Sequence, residues 1–233
     1  MRPRPDPDDD ETLPARRVRF AWQETREQLL AFAERFPGAA ADARGRVFAA
    51  PSAGAGTGDG AWLVVPFLLP PPRAGERAAA YAARLPDRIG RHCVLLMQAG
   101  AMAIGYWDED ELVRHKAQKR YVVRGHGKAQ PLHLATKGKS RYGSRLRLQN
   151  WQRLLADVTT RLCAWWDELG APEQTFAALP VRAWAPLFAT APPPPFARRD
   201  ARHVPRHVHV PDHRELLAVR RWLARGRLEL ARD

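Results

Sequence analysis

The sequence predicts an α/β or α+β fold, a β meander flanked by helices, on three observations. Short apolar runs separated by tight turns follow one another between residues 92 and 118. Longer segments at 22–36 and 144–169 place apolar residues at helical spacing. Hydrophobic residues make up 45% of the 233 residues, enough for a sizeable core, and no internal repeat is visible.

In chain order, residues 1–16 are rich in proline and aspartate and read as a disordered tail, followed by a single domain over 17–233. Leu29, Leu30, Phe32 and Phe36 define a helix over 22–36, which Pro37-Gly38 ends. A short strand is expected at 46–50. The glycine-rich loop at 54–60 lacks the Gly-Lys-Ser/Thr ending of a phosphate cradle and reads as a plain turn. The continuous apolar run at 62–69 reads as a buried strand, and 76–85 as a helix. Strands follow at 92–98, 102–107 and 111–118, with turns at Ala99-Gly100 and Asp108-Glu109-Asp110, and the β pattern continues over 120–124.

Residues 125–143 have no clear periodicity and read as a long loop, of a length that usually signals function. In the helix expected at 144–169, Leu146, Leu148, Trp151, Leu154, Leu155, Val158, Leu162 and Trp165 share one face. Ser140 or Ser144 is a candidate cap. Arg145 and Arg147 fall in its first turns and oppose the helix dipole, an arrangement that makes sense if an anion docks there. Strands are expected at 181–188 and, as an alternating edge, at 203–210. Asp212 caps a last helix over 213–225.

Charge narrows the function. The net charge is +13, which points to nucleic acid or another anionic partner. All five lysines lie at 116–139, inside a stretch over 112–156 that contains no Asp or Glu. Such a segment is an electrostatic footprint for phosphates. The acidic run Asp6, Asp8, Asp9, Asp10 and Glu11 is either a solvated tail or a shield for the basic surface. The first residues lack the apolar core of a signal peptide, and the longest apolar run is too short to span a bilayer. The expectation is a cytoplasmic protein with no membrane partner.

Cys93 and Cys163 have no Cys-x-x-Cys partner and read as buried thiols of a reducing compartment. His203, His207, His209 and His213 are candidate metal ligands, with His207 and His209 on one strand face. No carboxylate or thiol joins them at a ligand spacing, and Arg202 and Arg206 lie among them. A basic edge is expected there, with no metal and no cofactor. No Ser-His-Asp or Cys-His arrangement is evident, and turn chemistry accounts for Asp108, Glu109 and Asp110.

The chemistry-bearing residues therefore lie in the basic loop. Gly125, Gly127 and Gly143 give it freedom, and Gln130 is the amide at its tip. A glutamine does not act as a base at neutral pH, but its amide positions a water or a hydroxyl. Arg124, Lys128, Lys137, Lys139, Arg141, Arg145 and Arg147 hold phosphates and stabilise developing negative charge. His126 is a candidate proton carrier. The set suits hydrolysis or transesterification on RNA or on an aminoacyl ester.

Taken together, Tyr121-Val-Val-Arg124, Gly127-Lys-Ala-Gln130, Lys137-Gly-Lys-Ser140 and Gly143-Ser-Arg145-x-Arg147 form a more specific pattern. It resembles the release-factor-like domain of the Vms-type (VLRF) peptidyl-tRNA hydrolases, in the bacterial form without ankyrin, zinc-finger or coiled-coil parts. The resemblance is strongest over 95–150. It implies a mixed sheet with flanking helices, like the central domain of the eukaryotic and archaeal release factor, which projects a catalytic loop into the peptidyl-transferase centre. It also implies that Gln130 matches the family's essential glutamine. Ala129 stands where release factors carry the second glycine of Gly-Gly-Gln.

The implied partners are the large ribosomal subunit, ribosomal RNA and a peptidyl-tRNA whose nascent chain has stalled. Release proceeds by cleavage near the tRNA 3′ end or by ester hydrolysis. The rival reading is a non-catalytic RNA-binding or ribosome-binding module with the basic loop as docking arm; a free tRNA nuclease is a third.

Overall fold

The computed structural model describes residues 16–42, 46–50, 60–120 and 139–230; the acidic tail, the loop at 54–59 and most of the basic loop lie outside them. The chain begins with strand β1 (Arg16–Ala21), a single 3-10 turn (Trp22–Glu24) and helix α1 (Thr25–Arg35). Strands β2 (Ala40–Ala41), β3 (Val47–Ala49) and β4 (Ala61–Val64) and helix α2 (Ala78–Ala83) follow. Strands β5 (Arg91–Gln98), β6 (Ala101–Asp108) and β7 (Glu111–Lys119) form the expected meander. Then come helix α3 (Lys139–Leu169), β8 (Gln174–Ala178), α4 (Val181–Phe188), β9 (Ala201–His203), α5 (His213–Leu223) and β10 (Arg225–Leu230). The fold is α+β.

The described residues gather into two compact units, one up to Ile89 and again from Val219, the other over Gly90–Ala218. The first holds a five-stranded sheet in the order β1-β10-β4-β3-β2, antiparallel throughout. One face of this sheet is buried through Phe20, Phe48, Ala61 and Leu63. Helices α1 and α2 belong to the same unit, with Leu29, Phe32 and Tyr81 buried. The Tyr81 hydroxyl donates to the Pro70 carbonyl at 2.6 Å, so this buried phenol keeps its polar tip satisfied.

The second unit holds the sheet β7-β6-β5-β8-β9, in which β5, β6 and β7 pair antiparallel and β8 runs parallel to β5 and β9. Parallel neighbours need a long crossover, and α3 supplies it between β7 and β8. Gly100 turns the meander at φ 88°, a conformation that suits a residue without Cβ. Strands β5 and β6 are buried on both faces. On one face, Cys93, Leu95 and Met97 sit opposite Tyr106, Ile104 and Met102. Onto these pack Leu154, Leu155, Val158, Leu162 and Trp165 of α3. On the other face Trp107 folds over Gly105, whose added Cβ would come within 2.3 Å of the indole, and stacks on buried His92 at 5.7 Å.

Several expectations give way to the structure. The run at 62–69 is a strand only through Val64. Pro66 has no N–H to give a ladder, and Val65, Leu68 and Leu69 reach the core from an irregular segment. Leu30, expected on the apolar face of the first helix, is exposed. Residues 181–188 form a helix, not a strand. Ala183 and Leu187 are buried one turn apart while Val181 is 82% exposed, a helical period. The edge strand at 203–210 stops at His203 because Pro205 ends the pairing with β8. His207 and His209 therefore share no strand face, although their rings meet edge-on at 5.1 Å.

Helix α3 starts at Lys139, five residues before its expected start, so the loop ends there and Ser140 and Ser144 lie within the helix, not at its cap. A helix of 31 residues tolerates Gly143 inside it, at a cost of about 1 kcal/mol. Strands β1, β2, β8 and β10 were not expected. Asp212 does cap α5, its Oδ1 accepting the Glu215 N–H at 2.8 Å.

Candidate functional site

The acid-free stretch enters the second unit on β7 and leaves it on α3, so these two elements are the stems of the basic loop. Glu111 and Asp157 are the acids that bound the stretch. Asp157 also joins the stems: its Oδ2 accepts from Arg120 Nη2 at 2.6 Å and from Gln118 Nε2 at 3.2 Å. The Arg120 N–H donates to the Gly100 carbonyl at 2.7 Å, which ties the same residue to the meander turn. Further along, Arg114 Nη2 meets Glu168 Oε1 at 2.5 Å. Strand and helix are thus pinned at two points, with the Asp157 clamp nearer the loop.

Beyond that clamp α3 continues for about 18 residues toward its start, roughly 27 Å of helix. None of residues 145–150 is fully buried; Trp151 is half-buried against the core cluster, and the fully buried positions begin at Leu154. Over 145–150 this leading arm of α3 is less buried than the rear of the helix. Arg145 is exposed and Arg147 half-buried on it, and Leu148 is 57% exposed. With the helix starting at Lys139, Arg145 and Arg147 lie more than a turn in, where the dipole has fallen off. The dipole argument passes to Lys139 and Arg141, and no acid occupies the first turn to offset them.

Lys139, Arg141 and Gly143 fall in this helical arm. Arg124, Gly125, His126, Gly127, Lys128, Gln130 and Lys137 lie outside the described residues. Gln118, Arg120 and Asp157 were missed by sequence reasoning. The available signal was Asp157 itself, the first acid after a long stretch without any.

Other candidate chemistry recedes. Burial pushes the Cys93 thiol up to about 12, so it is no nucleophile at neutral pH. Cys163, expected to be buried, is half-buried, and its Sγ lies 3.5 Å from the Pro193 carbonyl. Burial and then Asp167 raise its pKa as well. Burial and the neighbouring His213 lower the pKa of His115, whose ring lies 4.2 Å from that of His213. Among the described residues, no group of three His, Cys, Asp or Glu side chains is arranged to hold a metal ion. No helix among them is long and apolar enough to cross a membrane.

The clamp has a measurable consequence. Asp157→Ala leaves two donors without their acceptor and frees the loop's base, and stability is expected to fall by about 1 kcal/mol. Asp157→Asn keeps one acceptor oxygen and recovers part of that loss. Thermal melts check both, and an unchanged midpoint for Asp157→Ala would dismiss the clamp.

Known proteins place the chain. Among solved structures it is similar to one described as the Vms1 mitochondrial localization core, with 11% identity, 91% of this chain and 84% of that chain covered, and a TM-score of 0.47. No curated protein matches the chain. A family model described as the Bacteroidetes VLRF1 release factor matches residues 92–230, a span that runs from β5 to β10 and takes in both stems and the whole acid-free stretch. That match covers more than half of the sequence, and the chain belongs to this family of VLRF1 release factors.

Proposed function

We propose that this ribosome-associated, release-factor-like protein frees stalled nascent chains from peptidyl-tRNA on the large ribosomal subunit. It does so by cutting the tRNA near its 3′ end or by hydrolysing the ester. Gln130 orients the attacking group, a ribose 2′-hydroxyl or a water, and His126 carries the proton. Arg124, Lys128, Lys137, Lys139, Arg141, Arg145 and Arg147 grip tRNA or ribosomal RNA backbone, with Gly125, Gly127 and Gly143 giving the loop its reach. Residues 17–233 work as one release-factor-like domain in the cytoplasm, behind the acidic tail.

One observation carries this reading: a release-factor family match spans a long basic stretch that lacks any acid and has Gly127-Lys-Ala-Gln130 at its centre. A polyanion-binding stretch with a lone amide at its tip suits chemistry at an RNA end, where the amide aims an oxygen and the cations stabilise the charge that develops. The pinned stems and the length of α3 that precedes the clamp suit a loop that must reach an enclosed site.

The test uses large subunits carrying a labelled peptidyl-tRNA, with the freed peptide and the tRNA 3′ end both mapped. A peptide that keeps a short 3′ remnant means tRNA cleavage; a clean peptide with intact tRNA means ester hydrolysis. Binding without release by either route would replace the enzyme with a docking module.

A further inference from the structure

The sheet of the first unit has a second face, and its composition is unusual. Registers across β1, β10, β4 and β3 align Arg19, Arg227, Val64 and Val47 in one row. The next row on the same face is Arg17, Glu229, Trp62 and Ala49, and Arg225 lies opposite Ala21 at the other end. Four arginines thus share this face with a single carboxylate. Glu229 Oε1 takes both Arg17 Nε at 3.0 Å and Arg227 Nε at 2.9 Å, so its charge is already committed. Arg19 and Arg225 are exposed.

Two features of this face make sense with a ligand on it. Arg19 stands directly opposite Arg227, a like-charge pair that costs stability in an isolated sheet and that a bound anion relieves. Trp62, 39% exposed, lies across Gly60: a Cβ there would come within 2.2 Å of its ring. The indole therefore lies over a residue without a side chain, in the row of Arg17 and Glu229. Guanidinium groups suit phosphates, and an exposed aromatic ring suits a base face.

We infer that this face of the β1-β10-β4-β3 sheet is a second RNA-binding surface, taking phosphates on Arg19 and Arg225 and stacking an unpaired base on Trp62. Its residues lie outside the basic stretch, and it draws on the ribosome-associated family only for RNA as the polyanion at hand.

The test titrates a fluorescein-labelled RNA hairpin with a single-stranded uridine tail, at several salt concentrations, into full-length protein carrying Lys128→Ala, Lys137→Ala and Lys139→Ala. Loop binding is thereby weakened and the sheet face dominates. Adding Arg19→Ala with Arg225→Ala is expected to weaken binding about tenfold and to lower the salt slope by about 1.4. Trp62→Ala is expected to cost about tenfold while Trp62→Phe keeps most of the affinity. An unchanged slope, no RNA binding once the loop lysines are gone, or equal competition by polyglutamate would each overturn the inference. Peptide release is scored in parallel on proteins with an intact loop. Loss of RNA binding in the sheet variants with no peptide release by the intact-loop parent sinks the release reading alone; release by the parent with RNA binding unchanged in the sheet variants sinks only this surface.

Discussion

On the proposed mechanism, Gln130→Ala is expected to stop peptide release while leaving large-subunit binding within about twofold. The expected loss is at least about 100-fold in single-turnover rate, the scale on which removal of one preorganised group at a reacting centre is felt. The reason lies in how the charges are distributed. In the proposed mechanism, binding rests on many cations spread over 112–156, so no single neutral side chain carries it. Chemistry in that proposal rests on aiming one oxygen, the task assigned to the Gln130 amide. Lys137→Ala with Lys139→Ala divides the two roles from the other side: it weakens binding, and it flattens the salt dependence by one to two phosphates' worth. Equal release by Gln130→Ala and the parent protein would remove the glutamine from the mechanism.

What the sequence disclosed depended on how local the signal was. The meander was legible because Ala99-Gly100 and Asp108-Glu109-Asp110 punctuate short apolar runs, and pairing across such turns is a near-neighbour matter. The packed face of α3 was legible because its period repeats over many turns. Strands β1 and β10 were hidden: RRVRFA and RGRLEL look like charged surface, and each is a strand because the other, at the far end of the chain, pairs with it. No local window contains that information. The helix at α4 was misread because Val, Trp and Phe favour strands, whereas burial four residues apart decided otherwise. At the candidate site, the basic stretch was visible as composition. The clamp was not, since Gln118 and Asp157 are joined by folding and not by spacing.

The same contrast separates two leucine substitutions within α3. Leu148 and Leu162 fall on one apolar stripe of the sequence, yet Leu162 is fully buried in the core cluster while Leu148 is 57% exposed on the leading arm. Leu162→Ala removes packing against the β5–β6 face and leaves a cavity, with an expected cost of about 3 kcal/mol. Leu148→Ala is expected to stay within about 0.5 kcal/mol. Urea denaturation resolves the two, with the Leu162→Ala midpoint falling at unchanged slope. A large cost at Leu148 would mean that the arm is packed, and the picture of a helix whose rear half anchors the fold and whose front half carries the loop would fail.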